Sequence, residues 1–413
     1  MRKAILICAA LCGALPARAL EYGPVFNATL LGGQYFFEGS NANVSGNAAV
    51  QAAAAVKASD RWSFMPTYAG NYQGTKGVSD AVPAGSLFQQ EMDHRASLTG
   101  IYAPETSDWK FKPSASYKYE FLKQTRDEAW GHGLFDFEKI AAGFEAENIY
   151  HEPFSYRLGL DVFRIRFPDY QSLESQAPTD PLGNPLSRSG FNRNVLDTYN
   201  AQLSLGGSMP YPFQEPAVSL QGGYSLLYQK YVDQSVIDTQ GQITNRGRAD
   251  YLQTLAGAVG YPRPVRLFGY DCRLDSRFNI SLAYNGSNQN YFDANTAQFF
   301  FNAYSYYSYG VGPSFNLSWG NPKQPASLST SFNYTRLQYF DRQAQNASGI
   351  YAGGRLGQDV YVAGFSGGYP IAPGFSLKAQ ANFLWARSNN SFEQTYAYNY
   401  RTANYLMGFT YEY

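Results

Sequence analysis

Residues 109–121 read Trp-Lys-Phe-Lys-Pro-Ser-Ala-Ser-Tyr-Lys-Tyr-Glu-Phe, a strict alternation of apolar and polar side chains. Successive side chains of a β-strand point to opposite faces, whereas a helix would scatter the two sets around its axis. About ten residues is also the length that a tilted strand needs to cross a bilayer. The segment therefore predicts a strand with one face toward lipid and the other toward water.

The same alternation returns in residues 272–284 and 375–385, and the links between such segments alternate in length. Short links, most of them with Pro, Gly or Asp, are expected at 58–60, 105–108, 150–153, 210–216, 261–269, 321–325 and 371–374. Longer polar links are expected at 38–46, 74–88, 123–134, 169–196, 230–249, 285–305, 341–357 and 387–399. Seven short and eight long links join sixteen strands. The predicted fold is all-β, a transmembrane antiparallel up-and-down β-barrel of about sixteen strands, with fourteen or eighteen as alternatives.

The amino terminus carries an export signal. Arg2 and Lys3 precede an apolar run from Ala4 to Leu15, which is followed by a small-residue exit at 17–19. We expect residues 1–19 to be a cleavable signal peptide and residues 20–413 to form a single barrel domain. Short periplasmic turns and long extracellular loops would place both termini in the periplasm and the protein in the outer membrane of a bacterial cell.

Composition limits the partners. Aromatic residues make up 17% of the chain, with 35 Tyr and 29 Phe, which suits aromatic girdles in contact with outer-membrane lipid. Lys plus Arg and Asp plus Glu both number 32, so no basic surface suggests nucleic acid. Once the signal peptide is removed, Cys272 is the one remaining cysteine, which excludes an internal disulfide. No metal-ligand spacing is present, and no cofactor is expected.

The last strand carries a more specific motif. Between Ala403 and the carboxyl terminus, alternate positions hold aromatic or apolar residues, and a glycine precedes the central phenylalanine. The residues of this motif are Tyr405, Met407, Gly408, Phe409, Tyr411 and Tyr413. The motif resembles the terminal sorting strand of bacterial outer-membrane β-barrel proteins of porin-like size. That resemblance implies recognition by the barrel-insertion machinery, and it identifies a class of protein without a specific family.

A barrel of about sixteen strands is wide enough to leave an aqueous lumen. The charged residues predicted to line it are Glu91, Asp93, Arg95, Lys110, Lys112, Lys118, Glu120, Lys139, Glu145, Glu147, Arg157, Asp161, Asp271, Arg273, Asp275, Arg277 and Lys378. The hairpin about 150–153 should place Glu145 opposite Arg157. Two interpretations stay open: a charged strip whose field screens solutes, and salt-bridged wall packing.

A catalytic interpretation depends on three histidines. His132 lies in a loop beside Asp127, Glu128 and Asp136, a setting that could hold an Asp-His dyad, and His94 falls in the outward set of its strand. His151 lies in a short turn. No nucleophile motif accompanies them, so a solvated loop, a girdle and a turn explain the three better, and no catalytic residue is assigned.

Three functions therefore remain, in decreasing order of support. The first is a porin-like channel for small polar solutes or ions, which is not an enzyme. The second is a barrel scaffold for surface binding or for assembly or export of a partner, supported by aromatic loops such as 285–305. The third is an outer-membrane hydrolase. The loops 169–196 and 230–249 are long enough to narrow a pore, and a homotrimer and a single-chain pore are both compatible with the sequence.

Overall fold

The computed structural model describes residues 21–38, 43–78, 87–125, 127–148, 154–170, 194–211, 218–267, 269–293, 296–392 and 399–413. The predicted signal peptide, residues 1–19, lies outside these ranges and stays a prediction. Regular structure in the described residues consists of β-strands. None of the described segments forms a helix that is long and apolar enough to cross a membrane.

The strands follow the predicted order. They are β1 (Glu21–Phe37), β2 (Asn43–Lys57), β3 (Trp62–Gln73), β4 (Gly77–Val78), β5 (Leu87–Phe88), β6 (Gln90–Tyr102), β7 (Trp109–Lys123), β8 (Phe137–Asn148), β9 (Ser155–Arg166), β10 (Thr198–Tyr211), β11 (Val218–Ile237), β12 (Ile243–Leu267), β13 (Tyr270–Ser287), β14 (Tyr291–Asp293), β15 (Gln298–Phe300), β16 (Tyr306–Trp319), β17 (Ala326–Gln345), β18 (Tyr351–Ala372), β19 (Phe375–Ser388) and β20 (Tyr400–Glu412).

Sixteen of these strands form one closed antiparallel barrel in which each strand pairs with its barrel neighbours along the chain, and β1 pairs with β20. The predicted up-and-down barrel of sixteen strands is therefore confirmed. The remaining four strands form two small two-stranded sheets, β4 with β5 and β14 with β15, within long connections. Closure gives each of the sixteen strands a paired neighbour on both sides, which is what a sheet within hydrocarbon requires.

The two faces of the barrel differ as the alternation predicts. On the outer face large apolar side chains remain exposed, among them Leu160, Leu282 and Met407. On the inner face large apolar side chains are fewer, and several of them, such as Leu122 and Phe137, are buried. A continuous exposed apolar surface of this kind is unfavourable in water and favourable in lipid. The barrel is built to span a membrane.

Aromatic side chains cluster toward both ends of the outer face. Trp62 and Tyr102 pack at the end with short links, with ring centroids 5.0 Å apart. Tyr334 and Tyr361 pack nearer the other end, also at 5.0 Å. Rings with a polar edge suit the boundary between hydrocarbon and water, so this arrangement is typical of aromatic girdles.

Short and long links lie at opposite ends, which are named the turn end and the loop end below. At the turn end β2 and β3 are separated by 58–61, and β18 and β19 by 373–374. At the loop end the connection between β9 and β10 spans 167–197. The alternation of link lengths in the sequence therefore reflects the two ends of the barrel.

Three predicted links are shorter by more than half in the structure because strands continue through them. β11 runs to Ile237 and β12 starts at Ile243, while β17 runs to Gln345 and β18 starts at Tyr351, with register irregularities in both extensions. At the turn end β12 continues to Leu267. Its Pro262 and Pro264 pair with β13 beyond the last β12 residue that pairs with β11, and a free edge tolerates proline. These extensions were not predicted because polar residues and prolines in a sequence usually indicate loops.

The seam between the first and last strands is unusually close. A Cβ atom at Gly408 of β20 would collide with the backbone carbonyl oxygen of Leu30, and one at Gly33 of β1 would collide with that of Tyr405. The neighbouring Gly32 has open space around its Cβ position. Glycine at positions 33 and 408 therefore lets the two backbones approach, whereas Gly32 carries no such requirement.

Candidate solute site in the barrel lumen

The strand register shows where the predicted lumen residues lie. On β6, β7, β8 and β9 one common face carries all of the candidates from these strands: Glu91, Asp93, Arg95, Lys110, Lys112, Lys118, Glu120, Lys139, Glu145, Glu147, Arg157 and Asp161. This face is the inner one, because the alternate residues form the exposed apolar surface. The four adjacent strands are called the charged wall below.

The other candidates fall elsewhere on the barrel. Arg273, Asp275 and Arg277 of β13 and Lys378 of β19 also lie on the inner face. Asp271 does not line the wall. It lies one residue beyond the last β13 residue that pairs with β16, and its side chain is 97% exposed. It belongs to the tip of the β12–β13 hairpin, which the sequence placed inside the barrel because the alternation continues through it.

Near the turn end the charged wall is held by ion pairs. The Nζ of Lys112 lies 3.2 Å from the Oε1 of Glu145 and also contacts Glu147. The Nε of Arg157 lies 3.7 Å from the Oε2 of Glu145, so the expected contact between these two residues is present. The contact of Lys112 with Glu145 was not predicted, because it depends on the register of β7 and β8, which the sequence does not give. In this part of the wall the charges satisfy one another.

Nearer the loop end three cations lie side by side. The register pairs Arg95 with Lys118 and Lys118 with Lys139, so β6, β7 and β8 carry positive charges at one level. We call these three residues the basic row. Lys118 contacts Glu120, and the Nζ of Lys139 lies 3.7 Å from the ring centroid of Phe163. Among the described residues, neither Arg95 nor Lys139 has a carboxylate oxygen within 4.0 Å.

A cavity of about 440 Å³ lies against the basic row. The hydroxyl groups of Ser97, Thr99, Ser114 and Ser116 line it on the turn-end side of the cations. Asp161 and the rings of Phe137 and Phe163 line it on β8 and β9. The cavity exists because β8 carries the small residues Ala141 and Gly143 where longer side chains would fill the wall.

A second and larger cavity, of about 730 Å³, follows the wall from β8 to β17. Small side chains account for it. The inner positions there include Gly206, Gly223, Ala256, Ala258, Gly310 and Gly312. The two cavities make the inner surface concave and polar over most of its circumference, which is the form expected of a wall in contact with water and solutes.

Two groups of residues at the loop end turn inward over this wall. In the first, Phe88, Phe167, Val195 and Leu196 from two long connections pack against Leu122 and Phe137 of the charged wall. Asp136 accepts hydrogen bonds from the backbone N–H groups of Leu122 and Gly133, at 2.8 and 3.1 Å, and burial raises the pKa of this carboxyl. We call this group the apolar cluster. The sequence did not predict it because its members come from segments without periodicity.

The second group lies on β11 and β12. Arg248 donates to Asp250, with 2.7 Å between Nη2 and Oδ2, and both side chains are about 6–7% exposed. Its guanidinium lies 4.2 Å from the ring centroid of Tyr231 and 4.4 Å from that of Tyr304. Since Tyr304 belongs to the connection between β13 and β16, this stack anchors that connection to the barrel.

The histidines that the structure describes have ordinary surroundings. His94 lies on the outer face, where its Nδ1 is 2.8 Å from the hydroxyl of Tyr68 and its ring packs on Phe121. His132 is exposed, and the oxygens of Asp136 accept backbone amides instead of forming a dyad with it. His151 lies outside the described residues. In the part of the chain that the structure describes, no three His, Cys, Asp or Glu side chains are grouped to hold a metal ion.

No protein-family model matches the chain. No curated protein matches its sequence. Among solved structures, it resembles OmpT of Vibrio cholerae, described as an outer membrane protein in its trimer form, with 10% identity, coverage of 96% of this chain and 100% of that chain, and a TM-score of 0.43. The chain has the architecture of outer-membrane β-barrel proteins, without assignment to a family.

Two further solved structures show a similar likeness. For Pseudomonas aeruginosa OccD3 the identity is 7%, the coverage 94% of this chain and 91% of that chain, and the TM-score 0.46. For Acinetobacter baumannii OccAB1 the identity is 9%, the coverage 95% and 96%, and the TM-score 0.45. These likenesses concern the barrel and contribute nothing to the choice of a solute.

Proposed function

We propose that this protein is a channel of the bacterial outer membrane through which small polar solutes or ions pass. The observation that carries the proposal is the inner surface of the closed barrel, which is polar and holds cavities of about 440 and 730 Å³. A barrel of sixteen strands is wide enough for an aqueous lumen. We place the turn end and both termini in the periplasm and the loop end outside the cell, because short turns of such barrels are periplasmic and long loops extracellular.

Single-channel conductance of the purified, refolded protein in a planar bilayer tests this proposal. We expect stable current steps whose size scales with salt concentration. A heat-modifiable band on a gel must first show that the barrel is folded. Absence of steps from folded protein would contradict the channel and favour a scaffold for surface binding, for which exposed loop aromatics such as Phe301 are the supporting observation.

The distribution of charge predicts weak ion selectivity. The charged wall holds six cations and six carboxylates, so its net charge is zero. The inner faces of β16, β17 and β18, on the opposite side of the barrel, carry uncharged residues at 306–318, 327–339 and 358–368. Charges on one side and none on the other produce a field across the lumen, although ion pairing near the turn end reduces it.

Replacement of Arg95 and Arg157 by glutamate should make the channel cation-selective. The double variant gives the charged wall four net negative charges, counted from the six cations and six carboxylates of the wild type. Reversal potentials in a salt gradient measure the change, and the expected direction is toward cations. A reversal potential equal to that of the wild type would exclude a role of the charged wall in selectivity.

Weakening of the apolar cluster should widen the loop end. The side chain of Phe88 is fully buried there, and removal of a buried Phe ring typically costs about 3–5 kcal/mol. We expect Phe88→Ser to release the connections from the wall and to raise both mean conductance and open-channel noise. Phe301→Ser is the matched control, since Phe301 also lies in a long connection but is 61% exposed. Equal conductance in both variants would show that the apolar cluster does not limit the pore.

A further inference from the structure

We propose that the cavity beside the basic row is a binding site for a small organic carboxylate. The proposal names the solute class of the channel and rests on the proposed function for delivery of that solute. The ligand has one carboxylate, which the cations hold, and a compact apolar body, which the aromatic side of the cavity holds.

The charges of the basic row call for an anion. Like charges directly opposite one another on neighbouring strands destabilise a sheet, and here two successive strand pairs carry such contacts. Glu120 compensates Lys118 in part. Among the described residues no carboxylate forms a contact ion pair with Arg95 or Lys139, and Asp161 attracts Lys139 from a longer distance. Carboxylates are paired with cations nearer the turn end of the same wall. A bound carboxylate would supply the missing negative charge.

The hydroxyl groups favour the same ligand. Ser97 and Ser116 are paired next to the Arg95–Lys118 pair on the inner face. Thr99 and Ser114 form the following pair on that face, nearer the turn end. Each hydroxyl can donate to an oxygen of a carboxylate or accept from a polar group of the ligand. Charged hydrogen bonds to Arg and Lys are stronger than neutral ones, so the cations fix the position of the carboxylate and the hydroxyls adapt to it.

The far side of the cavity indicates what is attached to the carboxylate. Phe163 and Ile165, both half-buried, line it, and an inorganic anion would leave their exposed apolar surface in water. Phe137 also borders the cavity, but it is 3% exposed because it packs in the apolar cluster. A volume of about 440 Å³ lies within the range of small-molecule sites, roughly 300–1,000 Å³. Asp161 adds a carboxylate on the same side, which disfavours a second negative charge there and accepts a hydrogen bond from a hydroxyl group. A hydroxylated aromatic monocarboxylate meets all three conditions.

Titration calorimetry with 4-hydroxybenzoate tests the site in purified, folded protein in detergent. We expect saturable binding of the acid. The neutral analogue 4-hydroxybenzamide should bind at least about tenfold more weakly, because the amide lacks the charge that Arg95 and Lys139 attract. Arg95→Gln and Lys139→Gln should each raise the Kd about tenfold. The matched control is Lys378→Gln, which removes one positive charge from the inner face of β19, away from the cavity, and should leave the Kd within about twofold.

Binding of the amide as tightly as the acid, an equal effect of all three variants, or no binding of the acid to the wild type would each overturn the proposal. The heat-modifiable band shows whether each variant is folded. Because calorimetry does not require conduction, the two proposals fail separately. Binding without current steps would contradict the channel alone, whereas current steps without binding would contradict the carboxylate site alone.

Discussion

Replacement of Gly408 by valine should prevent the barrel from closing. Any Cβ atom at this position collides with the carbonyl oxygen of Leu30 on β1, and a backbone atom cannot rotate away as a flexible side chain can. The β1–β20 pairing must therefore separate locally, at a cost on the order of 3 kcal/mol or more, before the exposed edges in lipid are counted. The measurement is the fraction of heat-modifiable, folded protein after refolding, which we expect to fall sharply.

Two further variants distinguish a defect in barrel closure from a general intolerance of larger side chains in these strands. Gly33→Ala meets the carbonyl oxygen of Tyr405 and should show the same defect as Gly408→Val in a milder form. Gly32→Ala lies one residue away on the same strand, meets nothing within 4 Å, and should refold like the wild type. Normal refolding of Gly408→Val, or equal defects in the two alanine variants, would contradict the role of the close seam.

Replacement of Arg248 by methionine should produce the second large effect. It leaves the buried carboxylate of Asp250 without its charged partner, and breaking a buried pair in this way costs about 3–5 kcal/mol. It also removes the cation between Tyr231 and Tyr304, so the connection between β13 and β16 loses its anchor. We expect a lower unfolding temperature and faster hydrogen exchange in residues 244–251.

The chain provides a matched control for this prediction. Arg273 and Asp275 of β13 form an ion pair with the same separation in sequence, two residues, and the distance between Nε and Oδ1 is 2.9 Å. Their side chains, however, are 67% and 37% exposed. Exposed pairs contribute about 0–1 kcal/mol, so Arg273→Met should leave the unfolding temperature nearly unchanged. If the two methionine variants were equally stable, burial would not be what makes the Arg248 pair important.

The sequence predicted the architecture because lipid imposes a simple rule on each strand. Alternation in segments such as 109–121 and the alternating lengths of the links were enough to give sixteen strands and the inward direction of residues such as Lys118 and Arg157. The rule failed at strand extensions outside the membrane, where the outer face no longer has to be apolar. Residues 238–242 are the whole turn between β11 and β12, although 230–249 was predicted as a loop.

The candidate site was predictable only in part. Alternation tells that Arg95, Lys118 and Lys139 face inward, but their alignment depends on strand register, and a shift of two residues would separate them without changing any face. The apolar cluster was not predictable, since Phe88 and Val195 meet through long connections that carry no periodic signal. Gly408 belongs to the carboxyl-terminal motif of the sequence, but its close approach to Leu30 depends on the pairing of β1 with β20, which the motif does not give.

The seam also has a consequence for the order of assembly. Asn27 and Glu412, which share a hydrogen bond across it, are 385 residues apart in the chain. Every other barrel strand pairs with neighbours along the sequence, so hairpins can form locally and early, while this one pairing requires the ends of the whole chain to meet. Until they meet, two strand edges with unpaired backbone groups are exposed, and hydrocarbon offers those groups no hydrogen-bonding partner. The curved sheet must therefore be sheltered at both edges until its last strand arrives and pairs with the first.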